Sequence, residues 1–382
     1  MPKYKFSEIA YNINQKKIPE PGDEAMYIGL EHLDSGSLKV SRWGSDVPIT
    51  GEKLVMKKGD VLFGRRNTYL RRAAIAPHDG IFSAHGMIFR PNTDVIDEEY
   101  FPFFISSDYF MNAAIRISVG SLSPTVNWKT LKDLEFDIPD LESQRKSAEL
   151  LTSANELKEA YEILLEQTDE LVKSQFIEMF GHIGTDEKEW GLTTLGKCCE
   201  LNPKRPKDIT DDTLVSFVPM PAVSEKGEID CRDIKPYSEV KKGFTYFAEN
   251  DVLFAKITPC MENGKGAVAT GLSNDIGAGS TEFHVLRPLP MKSNPYWLYI
   301  ITMFEEFRTS ARKVMTGTGG QLRVPIKFLD EFPITLPTIE LQNEFEIFVK
   351  QNDKSKFSVS NRNLSRCLVI LKTTFLILKL LT

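Results

Sequence analysis

Apolar residues come mostly in short runs along this chain. Tyr27-Ile28-Gly29-Leu30, Val61-Leu62-Phe63, Phe217-Val218-Pro219-Met220 and Val252-Leu253-Phe254 are such runs, and Gly, Pro and Asn cut between them. That grammar predicts short strands joined by tight turns. Longer apolar patterns at 100–114 and 295–312 predict one helix late in each half. Residues 141–180 differ from their surroundings, with no Pro or Gly and an abundance of Glu, Lys, Ala and Leu. These are strong helix formers, so the stretch predicts a single long helix. Within it Leu150, Leu157, Leu164 and Leu171 recur every seven residues, with Ala154, Tyr161, Thr168 and Gln175 on the alternate positions. This is the spacing of a coiled-coil seam; the alternative is a core helix of one domain. A second helix is expected to open at Leu336-Pro337-Thr338-Ile339-Glu340-Leu341-Gln342 and to reach about residue 356. Antiparallel pairing of the two would make a rigid rod.

The pattern also repeats. Gly59-Asp60-Val61-Leu62-Phe63 returns as Asn250-Asp251-Val252-Leu253-Phe254, and Gly36 and Gly227 share the same offset. Phe89-Arg90-Pro91 answers Leu286-Arg287-Pro288. Val126, Lys129, Leu131, Pro139 and Gln144 answer Val324, Lys327, Leu329, Pro337 and Gln342 at a slightly larger offset. Order and spacing preserved through separate blocks indicate a duplicated unit. The expected fold class is therefore α+β: two repeated mostly-β domains, 1–138 and 183–335, separated by long α-helical coiled-coil spacers at 139–182 and 336–382.

Composition changes this picture little. A length of 382 residues suits two domains, and a net charge of −6 argues against indiscriminate nucleic-acid binding. Local charge must decide. Cys198, Cys199, Cys231, Cys260 and Cys367 are scattered, without a C-x-x-C pair, so they predict reduced, mostly buried thiols and no metal site. The N-terminus has no signal-peptide core, and no apolar run up to residue 366 approaches the roughly 20 residues that cross a bilayer. A cytoplasmic chain is expected.

Candidate chemistry lies in loops after the repeated strands. Gly64-Arg65-Arg66-Asn67-Thr68-Tyr69-Leu70-Arg71-Arg72 holds four arginines and no acid. Arg and Asn present forks that match guanine and adenine edges, while Tyr and Arg also hold phosphates. A solvated charged loop is the plainer reading, but the absence of local acids weighs against it. His85 and Arg90 are secondary neighbours. At the equivalent place, Lys256 and Lys265 can neutralise phosphates, Asn263 can read adenine, Glu262 can accept from a cytosine amino group, and Thr258 adds a hydroxyl. Gly277-Ala278-Gly279-Ser280-Thr281-Glu282-Phe283 and Thr316-Gly317-Thr318-Gly319-Gly320-Gln321 carry small residues that permit close backbone approach or a tight turn.

The chain resembles the specificity subunits of type I restriction-modification systems. Its second half carries the strongest motifs, Lys242-Gly243-Phe244-Thr245, Asp251-Val252-Leu253-Phe254-Ala255-Lys256-Ile257-Thr258-Pro259-Cys260, Glu262-Asn263-Gly264-Lys265 and Gly279-Ser280-Thr281-Glu282-Phe283. The first half joins through Tyr27-Ile28-Gly29-Leu30-Glu31, Gly59-Asp60-Val61-Leu62-Phe63 and Arg65-Arg66-Asn67, and coverage runs from about residue 1 to 356. The resemblance implies two target-recognition domains that read two half-sites of double-stranded DNA. It implies helical spacers that dock two modification (methyltransferase) subunits, with restriction subunits where present. It also places the DNA-contacting positions in the loops of Arg65, Arg66, Asn67, Tyr69, Arg71 and Arg72, and of Lys256, Thr258, Glu262, Asn263 and Lys265; Ser280 and Thr281 are candidates beside them. No catalytic residue, cofactor or metal is expected in this chain, and no membrane. Asn294-Pro295-Tyr296-Trp297 lacks the second proline of a methyltransferase motif and predicts a helix start, and no G-x-x-x-x-G-K-[ST] occurs. The rivals are a fragment of a stand-alone methyltransferase and a helical scaffold that never touches DNA.

The tail departs from the repeat. After Asp353 no acidic residue follows, and 368–381 is nearly all apolar. An altered reading frame that truncates the second spacer after about residue 356 is expected.

Overall fold

The computed structural model describes residues 1–359, which divide into one unit up to Ile163 and another from Leu164. In the first, an antiparallel sheet runs in the order Ala10–Ile13, Met87–Pro91, Val61–Phe63, Ala73–Ile75. Its counterpart in the second runs Cys199–Leu201, Phe283–Pro288, Val252–Ala255, Gly266–Val268, so the order is the same. Each unit has a further four-stranded sheet with one parallel pair, Tyr27–Ile28 beside Gly80–Phe82 and Leu214–Val218 beside Ile276–Gly279. The fourth strand joins opposite edges: Lys16–Lys17 lies next to Lys53–Met56, whereas Ile234–Pro236 lies next to Leu214–Val218. A short antiparallel pair also ties the start of each unit to its end, Lys3–Lys5 with Glu135–Asp137 and Leu192–Thr194 with Pro333–Thr335.

Repeated residues do repeated work. Asp60, 4% exposed, takes a bidentate pair from Arg90, and Asp251, 1% exposed, takes one from Arg287 at 2.7 and 2.8 Å. The carboxylates also accept backbone N–H groups, from Lys57 and Ala248, which closes the turn before each strand. Arg90 is thus a structural partner of Asp60. Buried Gln144 accepts from Asp97 N and donates to the Val95 and Pro139 carbonyls. Buried Gln342 does the same with Asn294 N and the Lys292 and Pro337 carbonyls. Each latches the helix after its domain to the loop before the domain's late helices.

Those late helices are pairs, not single rods. Tyr100–Ser106 and Asp108–Arg116 break at Ser107, whose extended backbone and hydroxyl cap the second helix by accepting from Phe110 N. Pro295–Met303 and Glu305–Lys313 break at Phe304, also extended. Asn294 caps the first of these through Tyr296 N, with Pro295 at the position where no N–H is needed. Aromatic cores sit under both pairs: Phe6, Phe63, Phe89, Phe110 and Phe136 in one unit, Phe254, Trp297, Phe307 and Phe332 in the other.

The long helix is Leu141–Phe180. Its buried face differs from the leucine seam. Ala148, Leu151, Ala154 and Lys158 are buried in the first unit, and Val172, Phe176 and Phe180 enter the second unit's core beside Phe304 and Phe345. Leu150, Leu157, Leu164 and Leu171 are 45–52% exposed. The buried line passes one residue further along, at Leu151, Lys158 and Val172, with Ala154 buried and Tyr161 and Thr168 half-buried between them. Lys158 is tolerated there because its ammonium donates to the Gly36 carbonyl at 3.0 Å. The second helix runs Ile339–Val359. The proposed frame change and apolar tail otherwise lie outside the described residues. Among the described residues no helix is long and apolar enough to cross a membrane, and no group of His, Cys, Asp or Glu could hold a metal.

Candidate nucleic-acid interface

In the first unit the basic loop leaves Val61–Phe63 and turns at once. Asn67 and Arg71 both adopt left-handed backbone, at φ 54° and 51°, and bracket the short turn Thr68–Leu70. Asn tolerates that region far better than Arg does, so Arg71 needs support. It has it: its guanidinium donates to Asp108 at 2.6 Å and Asn112 at 2.5 Å, both on the helix Asp108–Arg116. The expectation of a loop without acid partners fails here, because the acid comes from another element. Arg66 is exposed and reaches only Ser123 at 3.4 Å; Tyr69 is 55% exposed. Exposed His85 accepts from Arg66 N through its carbonyl, which puts this residue beside the loop. Arg72 is half-buried, and its carbonyl accepts from Gly64 N.

A second segment in each unit completes this face: 316–323 in the second unit, whose residues 316–321 the sequence already marked by their small residues, and 118–125 in the first, which it did not mark. Arg65 O accepts from Val126 N at 3.0 Å, and Asn67 N donates to Pro124 O at 2.7 Å. The second unit repeats both bonds: Lys256 O accepts from Val324 N at 2.9 Å, and Thr258 N donates to Leu322 O at 3.0 Å. Each candidate loop is therefore stapled to a second loop, 118–125 or the hairpin Thr316–Thr318 with Gln321–Arg323. The first carries Val119 and Leu122 at 70% and 95% exposure. In the first unit only the matching of Val126 with Val324 hinted at this partner.

The second loop is braced from below. Buried Arg308 donates to the Met261 carbonyl and lies 5.6 Å over the Phe254 ring, and burial pushes its guanidinium down to about 10. It stands on the helix equivalent to the one holding Arg71, so both loops are tethered to the same element by an arginine, in opposite directions. Arg308 escaped the sequence reading because nothing local marks it. Glu262 accepts from Thr258 at 3.4 Å, Asn263 and Thr281 are exposed, and Lys265 is half-buried. Ser280 accepts from Glu282 N. Glu282 takes a bidentate pair from Arg323, which holds its carboxyl below the usual range. Burial lowers the Lys256 ammonium, Glu282 raises it and Arg323 lowers it further. His284 beneath is driven to about 4 by burial. Its Nε2 faces the Val324 carbonyl at 2.8 Å, so Nε2 carries the proton and Nδ1 accepts from Asn202 at 3.3 Å.

Gly277 and Gly279 are part of a buried central strand. A Cβ at Gly277 would strike the Phe247 ring, and one at Gly279 the Val218 carbonyl, so these glycines serve sheet packing and not ligand approach. Among the described residues Arg65 Nε, Asn67 Oδ1 and Glu262 Oε2 are buried without a hydrogen-bond partner. Such atoms are uncommon; these three lie in the two candidate loops, and the other three are His78 Nε2, Trp297 Nε1 and Arg308 Nε.

The family described as type I restriction modification DNA specificity domain matches residues 7–167 and again 187–365. The specificity subunits of the type I restriction enzymes EcoAI and EcoEI of Escherichia coli are 42% and 40% identical over 160 and 164 residues. Each match covers 41% of this chain and 27% of the relative, so it spans about a quarter of the curated proteins' length. The crystal structure of a type I restriction-modification system S subunit from M. genitalium has a similar fold, with a TM-score of 0.51 at 13% identity over 97% of this chain and 93% of that one. Two matched segments, two units with the same sheet order and two equivalent stapled loops lead to one assignment: this chain belongs to the type I restriction-modification DNA specificity family and carries two copies of its domain.

Proposed function

We propose that this chain is the non-catalytic sequence reader of a type I restriction-modification assembly, binding a bipartite DNA target and directing adenine methylation, and restriction, by partner subunits. The observation that carries the reading is the duplicated stapled loop, which holds three of the six unpartnered buried side-chain polar atoms among the described residues, on Arg65, Asn67 and Glu262. A buried polar group without a partner costs about 1–3 kcal/mol, a cost that a base edge or phosphate relieves. In the first half-site Arg66, Tyr69 and Arg72 hold backbone while Arg65 and Asn67 face bases, with His85 beside them. In the second, Lys256 and Lys265 hold backbone, and Thr258, Glu262, Asn263, Ser280 and Thr281 supply the polar readout.

The half-exposed line Leu150, Leu157, Leu164 and Leu171 suits the other partner, since apolar side chains repeated along an exposed helix favour association. Two modification subunits are the assigned occupants of the spacers, with restriction subunits where present. Bound there, a modification subunit flips and methylates the adenine.

The test is co-expression with a modification subunit in a methylation-free host, followed by methylation-sensitive sequencing of its genome. A split, asymmetric adenine motif that disappears without this chain is expected. A continuous palindrome, or methylation independent of this chain, would sink the reading.

A further inference from the structure

The turn after Cys199–Leu201 is not part of either recognition loop, and no motif announced it. It walls an open cleft of about 610 Å³, together with Thr245, Tyr246 and Phe283. The lining contributes Lys204, Arg205, Lys207 and Lys256 and no carboxylate. A chain with net charge −6 has thus gathered four cations on one surface.

The turn is held in shape. Asn202 sits in left-handed backbone at φ 50°, its N–H donates to Val285 O at 2.7 Å, and its side-chain oxygen accepts from Val285 N at 3.0 Å. Pro203 is buried, Pro206 limits the backbone further, and Arg205 donates to the Phe244 carbonyl at 3.2 Å. Lys204 and Lys207 are exposed and form no ion pair with a described residue. Glu282, whose charge acts on Lys256, is taken by Arg323 at 2.8 Å. The cations therefore stand ready for an outside anion. Lys256 also opens the recognition loop, whose backbone is stapled at Lys256 and Thr258, so an anion seated in the cleft adjoins the positions that face bases.

The first unit has a related cleft of about 390 Å³, with Arg65 in the position of Lys256. Its other cations are already engaged: Lys16 pairs with Glu52 at 3.0 Å, and Lys53 donates to the Thr50 and Gly51 carbonyls. The contrast singles out the second unit.

We propose that the turn 203–207 and Lys256 form a seat for the sugar-phosphate backbone of DNA, which fixes the register of the loop 256–265 on its half-site. The inference rests on the DNA-reading role above and adds a contact region to it. The cleft is open, which suits a continuous strand passing through it better than an enclosed small anion.

Binding of the full chain to a labelled duplex carrying its methylation motif is measured by fluorescence anisotropy across a potassium chloride series. Each phosphate neutralised contributes about 0.9 to the slope of log K against log salt. Lys204→Gln with Lys207→Gln should therefore make the slope shallower by about 1.8 while the methylation motif stays the same. Both side chains are exposed and unpaired, so the fold is retained. An unchanged slope overturns the seat, as does an equal loss on replacing two exposed lysines outside the lining, Lys226→Gln with Lys313→Gln. Tripolyphosphate binding that the double variant loses while duplex binding is unchanged assigns the cleft to a free anion and also overturns it. Failure of the unaltered chain to bind the duplex at all removes the DNA-reading role itself, a result distinct from the other three.

Discussion

Arg66 is exposed and its side chain bonds only Ser123 among the described residues, whereas Arg71 is pinned by Asp108 and Asn112, so the two arginines separate binding from stability. Arg66→Ala should leave the thermal midpoint in place, weaken duplex binding and make its slope against log salt shallower by about 0.9, as the loss of one phosphate contact does. Arg71→Ala should cost about 1 kcal/mol of stability, the scale of a partly exposed ion pair, and disturb binding only through the loop's shape. Calorimetry and anisotropy on the same preparations check both; equal binding losses at unchanged stability would place Arg71 in the interface. His284 makes a separate point about charge. Burial lowers its folded pKa to about 4 from the usual 6.5 of a free imidazole, so the fold favours the neutral ring. Its contribution is present above pH 6.5 and is lost as pH falls towards 4. Denaturant unfolding of the second unit should lose on the order of 2 kcal/mol between pH 7.5 and 5 from this group. A His284→Asn variant should show a flatter profile; an identical one would mean the ring is protonated in the fold.

At the scale of elements, the glutamine latches join what the strands leave apart. Gln342 satisfies Asn294 N and two carbonyls from full burial, and Gln144 does so for Asp97 N. Replacing Gln342 by Leu keeps most of the volume but strands a buried donor and two acceptors. A loss of about 2–3 kcal/mol is expected, with the Pro295–Met303 region opening first. Amide hydrogen exchange localises the effect: faster exchange in 294–303 is expected, whereas an even change through the unit would argue against a latch. The helix Leu141–Phe180 obeys the same logic. Its interior is chosen by the domains pressed against it at each end, which is why Leu151 and Val172 are buried while Leu150 and Leu171, one position earlier, are not.

For the molecule as a whole, the proposed role of that helix is a ruler. Its 40 residues extend about 60 Å at 1.5 Å each. Inserting four helical residues near Thr168 adds about 6 Å, and a base pair occupies about 3.4 Å of duplex. The half-sites should be retained while the unread gap between them grows by one or two base pairs, as read by methylation-sensitive sequencing. Altered half-site bases with an unaltered gap would refute the ruler.

What the sequence alone determined is the part written in adjacent residues. The Asp-Val-Leu-Phe blocks marked equivalent strands because the turn needs the Asp and the sheet needs the apolar run. Helix propensity with no Pro or Gly marked 141–180, and Asn294-Pro295 marked a helix start. Resemblance in those same blocks supplied the family. Tertiary structure decided what depends on partners far along the chain. Arg71 finds its acid 37 positions away, and Arg308 finds the Met261 carbonyl 47 positions away. The buried face of the long helix, the break at Ser107, the packing demand on Gly277 and the cation cluster at 203–207 belong to the same class. Local preference is an energy between neighbours and can be read from order. A contact between distant residues follows only after the whole chain has chosen its packing, and several packings share one local pattern.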